Sequence, residues 1–194
     1  MDGNLPHAGE EKGSSGDTVE SCRRALAATV VSGELPPETE SLVGKILKDY
    51  RLDPKGIHGP AHWLRVMDYG RMLGEKNGAN LKVVALFGLI HDARRLSDHH
   101  DPHHGARAAA YARELATEGR LRVSSRDLDL LCSACEGHTA GRTHPDLTVR
   151  TCWDADRLDL HRFGWEIDPG QLNTPEAVEF VSRPETPVKN FLIL

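Results

Sequence analysis

Seven of the chain's eleven histidines fall between His58 and His104, and one of them opens the pair His91-Asp92. The pair closes an apolar stretch, residues 83–90. An imidazole and a carboxylate at the end of a core helix are costly to bury without a partner. A metal ion is the obvious partner, because imidazole and carboxylate are the usual ligands of Zn, Fe and Mn.

The elements that must position these groups read as helices. Apolar residues recur at helical spacing over 19–31, 37–50, 60–75, 81–92, 104–116, 125–138, 146–160 and, more briefly, 175–181. Gly59-Pro60 opens one of them, with proline in the first turn where its missing N–H costs nothing. Asn80 and Ser124 or Ser125 are suited to cap others, and Pro145 or Asp146 starts the one that runs to Leu160. No segment alternates with period two, so the fold class is all-α. Residues 1–16 are rich in Gly, Glu and Ser and are expected to form a disordered tail. Residues 17–166 form the expected domain and 167–194 a mostly irregular C-terminal extension. Its apolar end, Phe191-Leu192-Ile193-Leu194, is expected to dock on the body or on a second subunit, as in a homodimer.

Residues at i, i+3, i+4 and i+7 share one face of a helix. His62 lines up with Val66, Tyr69 and Leu73, and His91-Asp92 follow Val83, Leu86, Phe87 and Ile90. His104 lies over Ala108, Tyr111 and Leu115, and His138 follows Leu131 and Cys135. Asp156 shares a face with Val149, Cys152, Trp153 and Leu160. A lone histidine on an apolar stripe is usually a hydrogen-bonded core residue. Five helices that each bring a ligand-type residue to the core side point instead to convergence on one centre. Two positions are contested: His58 competes with His62, and Asp154 competes with Asp156 two residues away, about 200° around the helix. The stripes favour His62 and Asp156.

These residues resemble the HD superfamily of metal-dependent phosphohydrolases, whose signature is H…HD…D spread over a helical bundle. His58-Gly-Pro-Ala-His62-Trp-Leu-Arg-Val66 is similar to the opening element, His91-Asp92 to the central doublet, and Asp154-Ala-Asp156-Arg157-Leu-Asp159 to the closing one. The likeness covers residues 55–162 and carries more weight than the dipeptide alone, because the three elements occur in order. It implies an HD-domain helical bundle with His62, His91, Asp92 and Asp156 as ligands of a divalent transition metal: Mn, Fe, Co, Ni or Zn. His104 and His138 are then placed to hold a second metal or to face substrate, with His58 and Asp154 as further candidates. Arg94, Arg95 and Arg157 are candidates to bind phosphate. The implied activity is hydrolysis of a small phosphate ester, a nucleotide among the candidates, by a metal-bound water. Two other readings fit the same scaffold: a diiron oxygenase using His104 and His138 for a second iron, and a non-catalytic metal-binding module that senses a ligand or docks a partner.

The bulk numbers agree with a small-molecule partner. A net charge of −5, with no long basic run, gives no sign of a nucleic-acid polymer as ligand. The longest apolar run is too short to span a bilayer. The N-terminus lacks a basic region followed by an apolar one, so a cytoplasmic location is expected. Cys22, Cys132, Cys135 and Cys152 read as buried, reduced thiols; Cys132-x-x-Cys135-x-x-His138 lacks the remaining partners of a structural zinc site.

Overall fold

The helix that carries His91-Asp92 is apolar on every side, and the rest of the fold is arranged around it. In a computed structural model, residues 38–183 are described, together with Glu20, Ser21 and Arg24. The expected tail and the apolar C-terminus lie outside the described residues, as does most of the helix expected at 19–31; Glu20, Ser21 and Arg24 are helical.

Seven α-helices follow among the described residues: α1 (Glu38–Asp49), α2 (Pro60–Asn77), α3 (Leu81–Ile90), α4 (His104–Thr117), α5 (Ser125–Gly137), α6 (Leu147–Leu158) and α7 (Pro175–Ser182). Short 3-10 helices occupy Asp159–Phe163 and Pro169–Gln171, and no strand occurs among these residues. None of the helices is long and apolar enough to cross a membrane.

All eight residues from Val83 to Ile90 are buried, so α3 is the central helix of the bundle. It packs against α2, α5 and α6, while α4 pairs with α5. The boundaries follow local chemistry. Asn80 accepts from the backbone N–H groups of Lys82 and Val83, Ser124 from Asp127 and Asp146 from Thr148, so each satisfies donors that a helix start leaves open. Gly78 ends α2 at φ 79°, a left-handed conformation that glycine adopts without strain, and its N–H donates to the Gly74 carbonyl.

Two glycines set how closely the helices approach. A Cβ on Gly88 would lie 3.1 Å from the Met67 nitrogen and 3.2 Å from the Trp63 oxygen. The end of α3 therefore rests almost directly on the α2 backbone, which brings His91 to His62. A Cβ on Gly105 would meet the Cys135 carbonyl oxygen at 2.4 Å. That contact presses the first turn of α4 onto the last turn of α5, which brings His104 to His138. Gly105→Ala is expected to force these helices apart, costing about 1–3 kcal/mol by overpacking. Chemical denaturation will read the loss of stability.

Cys132, Cys135 and Cys152 are buried free thiols. Burial pushes all three above the ordinary thiol range, so they remain protonated in the core.

Candidate metal centre

His62 comes from the first turn of α2, His91 and Asp92 from the end of α3, and Asp156 from the last turn of α6. The Nε2 atoms of His62 and His91 stand 3.1 Å apart. Asp156 Oδ1 lies 3.3 Å from the first and 3.6 Å from the second, and Asp92 Oδ2 lies 3.7 Å from both. The other oxygen of Asp92 faces a second pair. Asp92 Oδ1 is 3.3 Å from His104 Nε2 and 3.7 Å from His138 Nε2, and those two nitrogens are 2.8 Å apart. One carboxylate thus stands between two pairs of imidazoles. His62, His91, Asp92, His104 and His138 are all buried, and Asp156 is partly open to the cavity described below.

The far side of each ring decides what the near side offers. His91 Nδ1 is 3.1 Å from the carbonyl oxygens of Phe87 and Gly88, His138 Nδ1 is 2.8 Å from that of Cys135, and His104 Nδ1 is 2.5 Å from that of Asp101. His62 Nδ1 is 2.6 Å from Asp159 Oδ2. Carbonyl and carboxylate oxygens only accept, so each Nδ1–H donates outward and each Nε2 turns a lone pair inward. Lone pairs then meet lone pairs and carboxylates, an arrangement that a metal ion relieves, or in its place a proton shared within each pair. Two donors about 2.1 Å from one ion stand about 3.0–3.4 Å apart at octahedral or tetrahedral angles. The spacings of the first set lie at or just beyond that range. Neutral imidazole with carboxylate is the donor set of a divalent transition metal, and the residues present fit one.

Electrostatics point the same way. Burial opposes the charged ring of His62, but the carboxylates of Asp156 and Asp159 outweigh it and raise its pKa. Burial likewise opposes a charge on His138, and Asp92 and Asp156 raise it nonetheless. Burial takes His91 down to about 4, and burial with the neighbouring His138 lowers His104. Burial alone would raise Asp92, yet the surrounding imidazoles hold it well below the usual carboxylate range. Each pair therefore joins one proton-seeking ring to one that resists protonation, and a metal that binds must displace that proton.

The centre opens onto a cavity of about 510 Å3. Arg95, Arg157 and Arg162 line it, as do His58, His99 and His100. Arg95 Nη1 reaches Asp92 Oδ1 at 3.3 Å and His104 Nε2 at 3.2 Å, and its other nitrogens donate to the Ser97 and His99 carbonyls. His58 stands at the cavity wall without joining the ligand cluster; its Nδ1 is 2.9 Å from Asp98 Oδ1. Thr139 Oγ1 lies 3.2 Å from His104 Nε2.

Two candidates read from the sequence are placed elsewhere. Arg94 turns away from the cavity, its guanidinium stacked 4.8 Å over the Tyr111 ring and in contact with the Asp49 carbonyl. Asp154 is fully buried on the opposite side of α6 from Asp156, where it accepts hydrogen bonds from Asn173 and Thr174. Its role is to tie the C-terminal segment to the bundle.

Asp159 was not singled out by the sequence reading. Besides His62 it takes Arg65 Nε at 2.6 Å and Arg162 Nη1 at 3.0 Å. The available signal was its spacing, three residues after Asp156 and so on the same face. A carboxylate behind a ligand histidine fixes the ring and raises its basicity. Asp159→Asn is expected to lower metal affinity by about tenfold or more. A competition titration with a chromophoric chelator measures it, and unchanged affinity would reduce Asp159 to a packing role.

A structure comparison gives the same architecture. The crystal structure of a predicted HD superfamily hydrolase from an uncultured Thermotogales bacterium superimposes with a TM-score of 0.58 at 20% sequence identity, covering 75% of this chain and 83% of that one. The fold is the HD-domain fold. No protein-family model matches the sequence, and no curated protein matches it significantly.

Proposed function

We propose that the protein is a metal-dependent phosphohydrolase acting on a small phosphate ester, a nucleotide among the candidates. His62, His91, Asp92 and Asp156 hold the metal, and His104 and His138 share the other oxygen of Asp92 for a second ion. The observation that carries this reading is the position of the His/Asp cluster at the floor of a cavity lined by three arginines. Its likeness in fold to a predicted HD superfamily hydrolase agrees. A divalent ion bound there supplies Lewis acidity toward a phosphoryl oxygen and water acidic enough to be a nucleophile at neutral pH.

The chain's own groups do the remaining work. Arg157 and Arg162 are the guanidiniums that meet the non-bridging phosphate oxygens, since fixed, planar donors suit that geometry. Arg95 holds the 95–99 turn against Asp92 and keeps the wall of the cavity in place. His58 directs its Nδ1–H to Asp98, which leaves Nε2 to accept a proton from the attacking water. Burial lowers the pKa of His58, so the ring is predominantly neutral at pH 7 and competent as a base.

Metal-loaded protein is expected to hydrolyse at least one member of a panel of nucleoside mono-, di- and triphosphates and aryl phosphates. Activity should vanish with chelator and return with Mn, Co or Ni. Fully metallated protein inert toward the whole panel would remove this reading.

One observation favours a second reading. Asp92 offers one oxygen to each imidazole pair, the arrangement a diiron oxygenase would also require. Dioxygen consumption by iron-loaded protein supplied with small organic substrates, without phosphate release, would select it.

A further inference from the structure

A second cavity, about 370 Å3, adjoins the one above the metal centre. The two share Thr139, Ala140, Arg157 and Gln171 as walls, so they are adjoining chambers with Arg157 lining both. The chambers differ in charge. Asp92, Asp101, Glu136 and Asp156 all line the first. The second, which we call the annex, has two arginines, Arg142 and Arg157, and no carboxylate among its lining residues. In a chain of net charge −5 that is a local reversal of sign.

The arginines are held differently. Arg157 is braced: Nη2 donates to the Gly141 carbonyl, and Nη1 lies 3.7 Å from Asp154 Oδ1, which offsets part of its charge. Arg142 makes no hydrogen bond or ion pair among the described residues, so its charge is not committed to the protein. Gly141 and Gly170 also line the annex and add no side chain of their own to it. Arg142 is exposed and unpaired, Arg157 is braced, and both line the annex; two guanidiniums in one cavity are suited to an anionic oxygen group.

Resting on the phosphohydrolase reading for the group at the metal centre, we propose that the annex is a second anion subsite, and that the substrate class is a small organic phosphate bearing a second phosphate or carboxylate remote from the scissile bond. The reacting phosphate lies over His62, His91, Asp92 and Asp156. The carbon skeleton passes Gln171, the second anion meets Arg142, and Arg157, which lines both chambers, stands between the two anions. A single-phosphate ester fills only the first chamber and forgoes the second set of charge-assisted hydrogen bonds.

Phosphonates test this without turnover, because their C–P bond is not a phosphate-ester bond. Isothermal titration of the metal-loaded protein with alkylphosphonates and with α,ω-alkane bisphosphonates of increasing chain length should show one length of bisphosphonate binding about tenfold tighter than its monophosphonate. Arg142→Ala should remove that gain and leave monophosphonate affinity unchanged; Arg142 has no structural partner to lose, so the variant keeps its fold. Arg142→Lys should retain part of the gain. Equal affinities at every chain length, or a preference that survives Arg142→Ala, would overturn the proposal. A bisphosphonate preference abolished by Arg142→Ala in a protein that hydrolyses no phosphate ester would uphold the annex while rejecting the hydrolase reading. The converse, hydrolysis of simple esters without any bisphosphonate preference, would reject the annex alone.

Discussion

Asp92→Ala is expected to strip the protein of bound metal and to reduce any metal-dependent turnover by about a thousandfold or more. Among the described residues, Asp92 belongs to both groups of side chains able to hold an ion. One oxygen faces His62 and His91, and the other faces His104 and His138. Removing it deletes a ligand from each set at once and takes away the negative charge that offsets an ion in a buried site. The neighbouring imidazoles can stay neutral once the carboxylate is gone, but buried Arg95 loses its ion-pair partner, so a loss of stability is expected beside the loss of metal. Elemental analysis of wild type and variant, with circular dichroism as a check on folding, reads the result. Metal content at the wild-type level in a folded Asp92→Ala protein would show that the doublet is not the anchor. Loss of half the metal would show that one set keeps its ion without the shared carboxylate while the other does not.

Asp154→Ala should have its largest effect on stability. Asp154 is fully buried and accepts from the backbone N–H groups of Asn173 and Thr174, from Asn173 Nδ2 and from Thr174 Oγ1, at 2.7–3.0 Å. The same Thr174 caps α7, whose Ala177 is buried against the bundle. Truncation leaves several donors without an acceptor in a region closed to water, and the expected cost is about 3 kcal/mol or more. Urea denaturation measures it. Metal stoichiometry should stay at the wild-type level, since Asp154 points away from the imidazoles. A folded Asp154→Ala protein that loses metal while Asp156→Ala keeps it would reverse the assignment of the two aspartates.

The contest between these aspartates shows where sequence reasoning stops. Two residues apart on a helix, they must face opposite ways, and the apolar stripe through Val149 and Trp153 selected Asp156. The stripe suggested nothing for Asp154, because the opposite face of α6 is covered by residues 173–174, a long-range contact with no periodicity to betray it. His58 and His62 divide in a similar way. The stripe put His62 inward, but the partner that holds His58, Asp98, lies forty residues on. Arg94 and Arg95 are adjacent in sequence and equally basic; the turn after Asp92 sends one over Tyr111 and the other to Asp92 and His104.

By itself the sequence determined the helical class and the order of the elements, and it favoured the six side chains that converge, with His62 and Asp156 preferred over His58 and Asp154. Apolar residues recur with a helical period, and a histidine or aspartate placed on such a stripe is carried inward with it. The capping residues marked the helix starts for the same local reason. Only the tertiary structure decided which oxygen of Asp92 faces which imidazole pair, that Asp159 stands behind His62, and that Arg157 lines two adjoining cavities. Those are relations between helices. They are set by how closely the backbones approach at Gly88 and Gly105 and by where the chain crosses back over α6, and neither leaves a periodic trace along the chain.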